Sequence, residues 1–354
     1  MSSQAIRDLV SRVGPLDAEA MRLAEARQGQ LTKPAGSLGR LEALAVHLAG
    51  ITGSVTPALG EKVVIVMAAD HGVAAEGVSA YPQEVTAQMV LNFLRGGAAI
   101  NVLARAAGAR VVVVDMGVAG DLPPHRDLHR RRIAAGTANL RHAPAMTRAQ
   151  AEAAFEAGAA ILDGEAARGL GLVATGEMGI ANTTASSAVV AALTGRPPAE
   201  VVGRGTGVDD AGLALKARVI AEALALHRPD PADPIDVLAK VGGFEIAGLA
   251  GVIVAAAARR IPVLLDGFIA GAAALAAVGV APGARSFLIA AHRSAEAGHR
   301  VVLDRLALRP LLDLDLRLGE GSGAALAMPL IDAALCAHRE MSTFAEAGVS
   351  ERDS

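Results

Sequence analysis

The sequence predicts an α/β protein built on a parallel β-sheet with helices on both faces. Three observations predict it. First, short β-branched runs recur at Lys62–Ala69, Arg110–Asp115, Gly171–Thr175, Pro262–Asp266 and Ser286–Ala291. Second, long Ala/Leu-rich stretches separate most of them, and apolar strands alternating with helical segments specify a parallel sheet covered on both sides. Third, polar residues and glycines gather where the runs end: Asp70-His71-Gly72, Asp115-Met116-Gly117, Thr175-Gly176-Glu177-Met178-Gly179, Asp266-Gly267 and Ala291-His292-Arg293-Ser294. Ligands bind at the carboxyl edge of open parallel sheets, so this recurrence predicts an enzyme or a small-ligand binder.

The elements follow in order. Residues 1–61 read as helical, with Leu38, Leu41, Leu44, Ala45 and Leu48 at helical spacing. Ser37 is the expected N-cap after the break at Pro34-Ala35-Gly36. Residues 62–323 hold the alternating strands and helices. Within them Pro82 is expected to open a helix running through Met89. The uncharged stretch from Gly267 to Ala284 contains several glycines and Pro282, so it reads as a buried helix and turn and not as a membrane span. Residues 324–354 return to helix, and the two helical ends are expected to pack together as a small subdomain. The polar tail Val349–Ser354 is expected to fray.

Composition narrows the function. A chain of 354 residues with 52% hydrophobic and 19% charged residues builds a large core. A net charge of −3 gives no general attraction to nucleic acid. The basic cluster His125–Arg132 therefore reads as a solvated loop or helix face. His125 and His129 lack a third partner that would make them a metal site. The single cysteine, Cys336, excludes an internal disulfide and is expected to be a small buried hydrophobe. Mean hydropathy is +0.40, but charges interrupt the other Ala-rich stretches. Met1–Asp8 shows no apolar signal-peptide core, so a cytoplasmic location without membrane insertion is expected.

Three motifs carry the chemistry. Arg317-Leu318-Gly319-Glu320-Gly321-Ser322-Gly323 sets one carboxylate among glycines just before an apolar helix. Helix N-termini offer unpaired N–H groups to an anion, so this piece reads either as a phosphate holder with a base beside it or as a plain helix-starting turn. Gly176–Ala185 places Glu177 at a strand end, with Gly179, Asn182 and Thr183 where a helix begins. Gly203-Arg204-Gly205-Thr206-Gly207 is a second glycine loop, and Lys216 in the helix after it offers a point charge to phosphate. No loop fits a Walker A or dinucleotide fingerprint, which disfavours a nicotinamide-dinucleotide dehydrogenase. Asp70 reads as a strand-end residue capping its own turn, with an acid–base pair with His71 as the alternative. Tyr81, Met89 and Phe93 read either as an apolar slot for an aromatic base or, for the last two, as a core stripe.

Taken together these segments resemble the nicotinate-nucleotide–dimethylbenzimidazole phosphoribosyltransferases of cobalamin nucleotide-loop assembly. The matching stretches are Lys33–Glu42, Ala69–Val73, Gly176–Thr184, Val241–Glu245, Pro262–Phe268 and Arg317–Gly323, in order over nearly the whole chain. The resemblance implies a Rossmann-like large domain, a small domain from both chain ends, and a homodimer. It implies transfer of the phosphoribosyl group from β-nicotinate mononucleotide to 5,6-dimethylbenzimidazole with inversion. Glu320 matches the family's general base and Glu177 a second active-site carboxylate. Gly179, Asn182, Thr183, Gly205, Lys216, Ser294, Gly321, Ser322 and Gly323 are the candidates for phosphate and ribose. The scheme requires no metal and no cofactor. The sequence departs from other members around Tyr81 and Met89, where the base slot is expected, which bears on the choice of acceptor.

Overall fold

The computed structural model describes residues 3–350. One sheet holds β1 (Glu61–Ala69), β2 (Arg110–Gly117), β3 (Leu128–Arg130), β4 (Leu170–Met178), β5 (Val263–Leu265) and β6 (Leu288–Ala290). All its strand pairs are parallel, in the order β3-β2-β1-β4-β5-β6. The direction of winding reverses between β1 and β4, which opens a crevice beyond their carboxyl ends. In register, Met67 of β1 stands opposite Glu177 of β4. A further parallel pair joins His292–Arg293 to Leu312–Asp313.

Strand alternation divides the core into two layers. Val63, Ile65 and Met67 of β1 face the helices Arg148–Ala166, Asn182–Thr194, Phe244–Ala258 and Phe268–Val280. Val64, Val66 and Ala68 face Arg40–Thr52, Val85–Arg95, Ala99–Ala106 and Ser322–Glu340. These strand side chains are fully buried, and burying a residue of this size contributes about 1.5–3 kcal/mol. The helices Arg148–Ala166 and Phe244–Ala258 pack so closely that a Cβ at Gly158 would overlap the Gly248 carbonyl.

The chain ends meet. Leu31 bridges to Thr343, and Arg27 donates through Nε to the His338 carbonyl at 2.8 Å. Gln28 and His338 share a buried hydrogen bond of 2.8 Å. The first helix, Gln4–Ser11, lies elsewhere, burying Ile6 and Leu9 against the layer that contains Phe244–Ala258. The helix Ser322–Glu340 also packs Ala324, Ala325 and Met328 beneath the sheet.

Several local expectations are corrected. The helix after Pro34 starts at Arg40 with Gly39 as N-cap, not at Ser37; the Glu42 side chain instead turns back to accept from the Leu38 amide at 3.0 Å. The Pro82 segment makes a turn first, and the helix begins at Val85. Ser286 and Phe287 belong to a 3₁₀ turn that precedes β6. Part of the basic cluster is the edge strand β3, because Leu128 is buried opposite Val113. Cys336 is exposed, since the buried face of its helix passes through Ile331, Ala334, Leu335 and His338. The Gly267–Ala284 stretch is a buried helix, Phe268–Val280, ended by a turn. Among the described residues no helix is long and apolar enough to cross a membrane. The expectations for Met1–Asp8 and for the tail Val349–Ser354 fall partly outside the described residues, which exclude residues 1–2 and 351–354.

Candidate active site

A cavity of about 430 Å³ opens at the carboxyl edge of the sheet. The end of β4 supplies Glu177 and Met178, and the turn into the next helix supplies Gly179, Ile180, Asn182 and Thr183. The end of β5 supplies Asp266 and, one step on, Phe268 and Ile269. The loop before the helix Ser322–Glu340 brings Arg317, Leu318, Gly319 and Glu320. Tyr81, Val85 and Met89 form an apolar wall at the other side. Tyr81 is 55% exposed and stands at the mouth.

Carboxyl groups dominate the floor. Glu177 is buried, and the Asn182 amide donates to its Oε2. Burial, followed by the charge of Asp266, raises its proton affinity; Asn182 opposes this, and Glu245 and Glu320 add to it, so its pKa is pushed up to about 8. Glu320 sits at φ +63°, in the left-handed region. A non-glycine residue there costs on the order of 1 kcal/mol or more and marks a place where geometry is imposed. Its Oε2 accepts from the Ile100 amide at 3.2 Å. Burial raises the Glu320 pKa, the Ile100 amide pulls it back, and Asp266 raises it again.

Asp266 ties these groups together. Its carboxylate accepts from the amides of Gly321 at 3.3 Å and Ala324 at 3.0 Å. His292 approaches it at 3.6 Å. The amides of Gly321 and Ala324, at the start of the helix Ser322–Glu340, are therefore satisfied from within the protein.

The polar corner lies around Thr183. Lys216 is buried, and its Nζ donates to Thr183 Oγ1 at 2.8 Å and to the Gly203 carbonyl at 3.1 Å. Burial lowers its pKa to about 8, with Glu296 pulling the other way. Because Thr183 Oγ1 accepts from Lys216, its own O–H is left to donate elsewhere.

The whole chain compares closely with known proteins. The family model described as phosphoribosyltransferase matches residues 13–349. The nicotinate-nucleotide–dimethylbenzimidazole phosphoribosyltransferase of Chloroflexus aggregans is 64% identical over 343 residues, 97% of each chain. That of a Roseiflexus species is 64% identical over 345 residues, 98% of each chain. The crystal structure of CobT from Thermus thermophilus superposes with a TM-score of 0.92 at 54% identity, covering 94% of this chain and 100% of that one. The chain belongs to the nicotinate-nucleotide–dimethylbenzimidazole phosphoribosyltransferase family.

Of the residues that the resemblance to this family singled out, Glu320, Glu177, Gly179, Asn182, Thr183, Gly205, Ser294, Tyr81 and Met89 all line the one cavity. Lys216 stands behind its wall. Gly321, Ser322 and Gly323 do not line it: Ser322 Oγ donates to the Gly319 carbonyl at 2.8 Å, and Gly323 leaves room for the His292 ring. Phe93 is a core residue. Asp70 does not cap its own turn; it accepts from the Ala119 amide at 2.8 Å, across to the loop after β2. His71 pairs with Glu245 at 2.7 Å, so the acid–base partner considered for it, Asp70, is not its bonded one. Sequence reasoning missed Thr206, Asp266, Glu296 and Arg317 as lining residues. Asp266 had a signal, its place at a strand end.

Proposed function

We propose that this chain transfers the 5-phosphoribosyl group of β-nicotinate mononucleotide to a ring nitrogen of 5,6-dimethylbenzimidazole or a related base. The products are α-ribazole 5′-phosphate and nicotinate. The observation that carries the reading is one cavity in which Glu320 and Glu177 meet an apolar wall on one side and a lysine-backed polar corner on the other. Membership of the family supports the same reaction.

The chemistry needs few groups. The bond from the anomeric carbon to the pyridine nitrogen breaks, and its electron pair neutralises that ring nitrogen, so nicotinate leaves without being protonated. The sugar passes through an oxocarbenium-like state, as in glycoside cleavage. A benzimidazole nitrogen bonds to the opposite face, which inverts the anomeric carbon. The proton on the other benzimidazole nitrogen goes to Glu320, whose raised proton affinity suits a general base. With Oε2 held by Ile100, Oε1 is the free acceptor.

The polar corner serves the phosphoribosyl group: Gly179, Asn182, Thr183, Gly205 and Ser294 touch it, and Lys216 reinforces Thr183 from behind. Gly321, Ser322 and Gly323 act by fixing Glu320. Tyr81 and Met89 bound the acceptor slot. The reading includes a large domain of residues 62–323, a small helical domain from 1–61 and 324–354, a homodimer and a cytoplasmic location.

The test is an assay with nicotinate mononucleotide and a panel of benzimidazoles and purines. Nicotinate release that depends on the base, with an α-anomeric product, is expected. Binding of the nucleotide without base-dependent release would sink the proposal. Sedimentation of the full chain checks the dimer.

A further inference from the structure

The loop Gly203–Thr206 brings Gly205 and Thr206 to the cavity, and several of its ties run to distant parts of the chain. Lys216 takes the Gly203 carbonyl at 3.1 Å, Arg317 donates to the Gly205 carbonyl at 3.3 Å, and Thr206 Oγ1 accepts from the Ala80 amide at 3.0 Å. The Arg204 carbonyl also accepts from the Gly207 amide at 2.9 Å and the Val208 amide at 3.1 Å, and a further hold comes from Glu296. Its Oε1 accepts from the Gly205 amide at 3.0 Å, and its Oε2 is buried with no hydrogen-bond partner.

Three features set Glu296 apart from an ordinary buried acid. It is the N-cap residue of the helix Ala297–Leu306, yet its side chain makes no cap hydrogen bond there. Asp, Asn and Ser at that position normally accept from the second or third helical amide, whereas this side chain turns to a loop 91 residues earlier in the chain. Next, Gly203 packs directly against it, since any Cβ at that position would overlap the carboxyl group. Finally, the turn that presents it is itself fixed. Ser294 Oγ accepts from the Glu296 amide at 3.3 Å, and the Ser294 amide donates to His299 Nδ1 at 2.8 Å. That bond requires an unprotonated Nδ1, in keeping with burial and the neighbouring His292, which push the His299 pKa down to about 3.

We propose that Glu296 is a positioning residue for the phosphoribosyl donor: its carboxylate holds the Gly203–Gly205 turn and so sets where Gly205 stands in the cavity. The inference rests on the phosphoribosyl-transfer reading of that cavity. Lys216 and Glu296 then act as opposed braces, one on the Gly203 carbonyl and the other on the Gly205 amide. Donor binding needs both braces, whereas proton transfer at Glu320 needs neither.

The test compares E296A, E296Q and E296D with the wild type in steady-state kinetics. Binding of nicotinate mononucleotide, without acceptor, is measured by calorimetry. E296A loses the acceptor for Gly205, so the donor KM and Kd should rise by roughly 10- to 100-fold, the worth of a hydrogen bond to a charged group. kcat and the acceptor KM should stay within about threefold, since only ground-state donor binding is lost. E296Q keeps an oxygen in place and should restore the donor KM to within about threefold of wild type. E296D keeps the charge but withdraws it by one methylene, and should behave like E296A. If E296A does not fold, E296D and E296Q decide the matter on their own. An unchanged donor KM in E296D, or a lowered one in E296A, overturns the proposal; the lowered value would mean that the carboxylate competes with phosphate. A wild type that binds donor but releases no nicotinate would instead overturn the reaction, leaving the binding comparison interpretable.

Discussion

Glu177 and Glu320 face one cavity from two kinds of backbone. Glu177 ends a regular strand, level with Met67 of β1. Glu320 sits in a strained left-handed conformation between two glycines. Their surroundings differ as well. Three other acids, Asp266, Glu245 and Glu320, add to burial in raising the Glu177 pKa, to about 8. Around Glu320 only Asp266 adds to burial, and the Ile100 amide stabilises the ionised form. Environments that push two carboxyls apart assign their roles. A pKa of about 8 favours the protonated form of Glu177 at neutrality, and in the proposed reaction Glu320 is the group that takes the proton. On the proposed reaction the strained residue, and not the strand-end acid, takes the proton, although the two are equally buried.

The strongest way to break this contrast is to neutralise each acid in turn. E320Q is expected to lower kcat by roughly 10²- to 10⁴-fold, the usual worth of a general base. E177Q imitates the protonated acid and should hold kcat at pH 7 within about fivefold. Nicotinate release under saturating substrates measures both. The reverse ranking would exchange the two roles.

Asp266 raises the pKa of both acids, so D266N tests the shared cause. The acid limb of the kcat/KM profile reports the group that must be ionised, which in the proposed reaction is Glu320. In D266N that limb should move to lower pH. kcat should fall as well, because one of the oxygens that cap Gly321 and Ala324 becomes an amide. An acid limb that stays in place would separate Asp266 from the base.

The contrast also has a stability signature. The folded-state pKa of Glu177 lies at about 8, above the ordinary value of 4.5. Between those values the unfolded chain has already released this proton while the folded chain retains it, so stability falls as pH rises through the interval. E177Q abolishes that term. The Tm of E177Q relative to wild type should therefore be higher at pH 8 than at pH 5. A pH-independent difference would mean that Glu177 titrates at its ordinary value.

How much of this was legible varies with how local the signal is. β1, β2 and β4 are apolar runs and could be read directly, whereas β3 carries a single buried apolar residue, Leu128, inside a basic cluster. Glu320 was legible because glycines frame it, and Lys216 because it follows a glycine loop. That Lys216 stands behind the wall depends on helix rotation against Thr183, which no spacing encodes. Cys336 was misread because it lies one residue past the buried Leu335, off the packed face. The cap that Asp266 places on the helix Ser322–Glu340 spans 58 residues to Ala324, and the hold of Glu296 on Gly205 spans more. Such pairings arise when strand ends converge in space, which a local motif cannot show.

The smallest expected effect sharpens the comparison most. Asn182 donates to Glu177 and favours its ionised form, in opposition to burial. N182A should therefore raise the Glu177 pKa further, which a carbon-detected NMR titration of the carboxyl group would record. Asn182 is not among the groups that shift Glu320, so the acid limb of kcat/KM should stay where the wild type has it, even if donor binding weakens. Should that limb follow the Glu177 titration upward, then Glu177 is the group that must ionise, and the strained glutamate serves only to shape the loop.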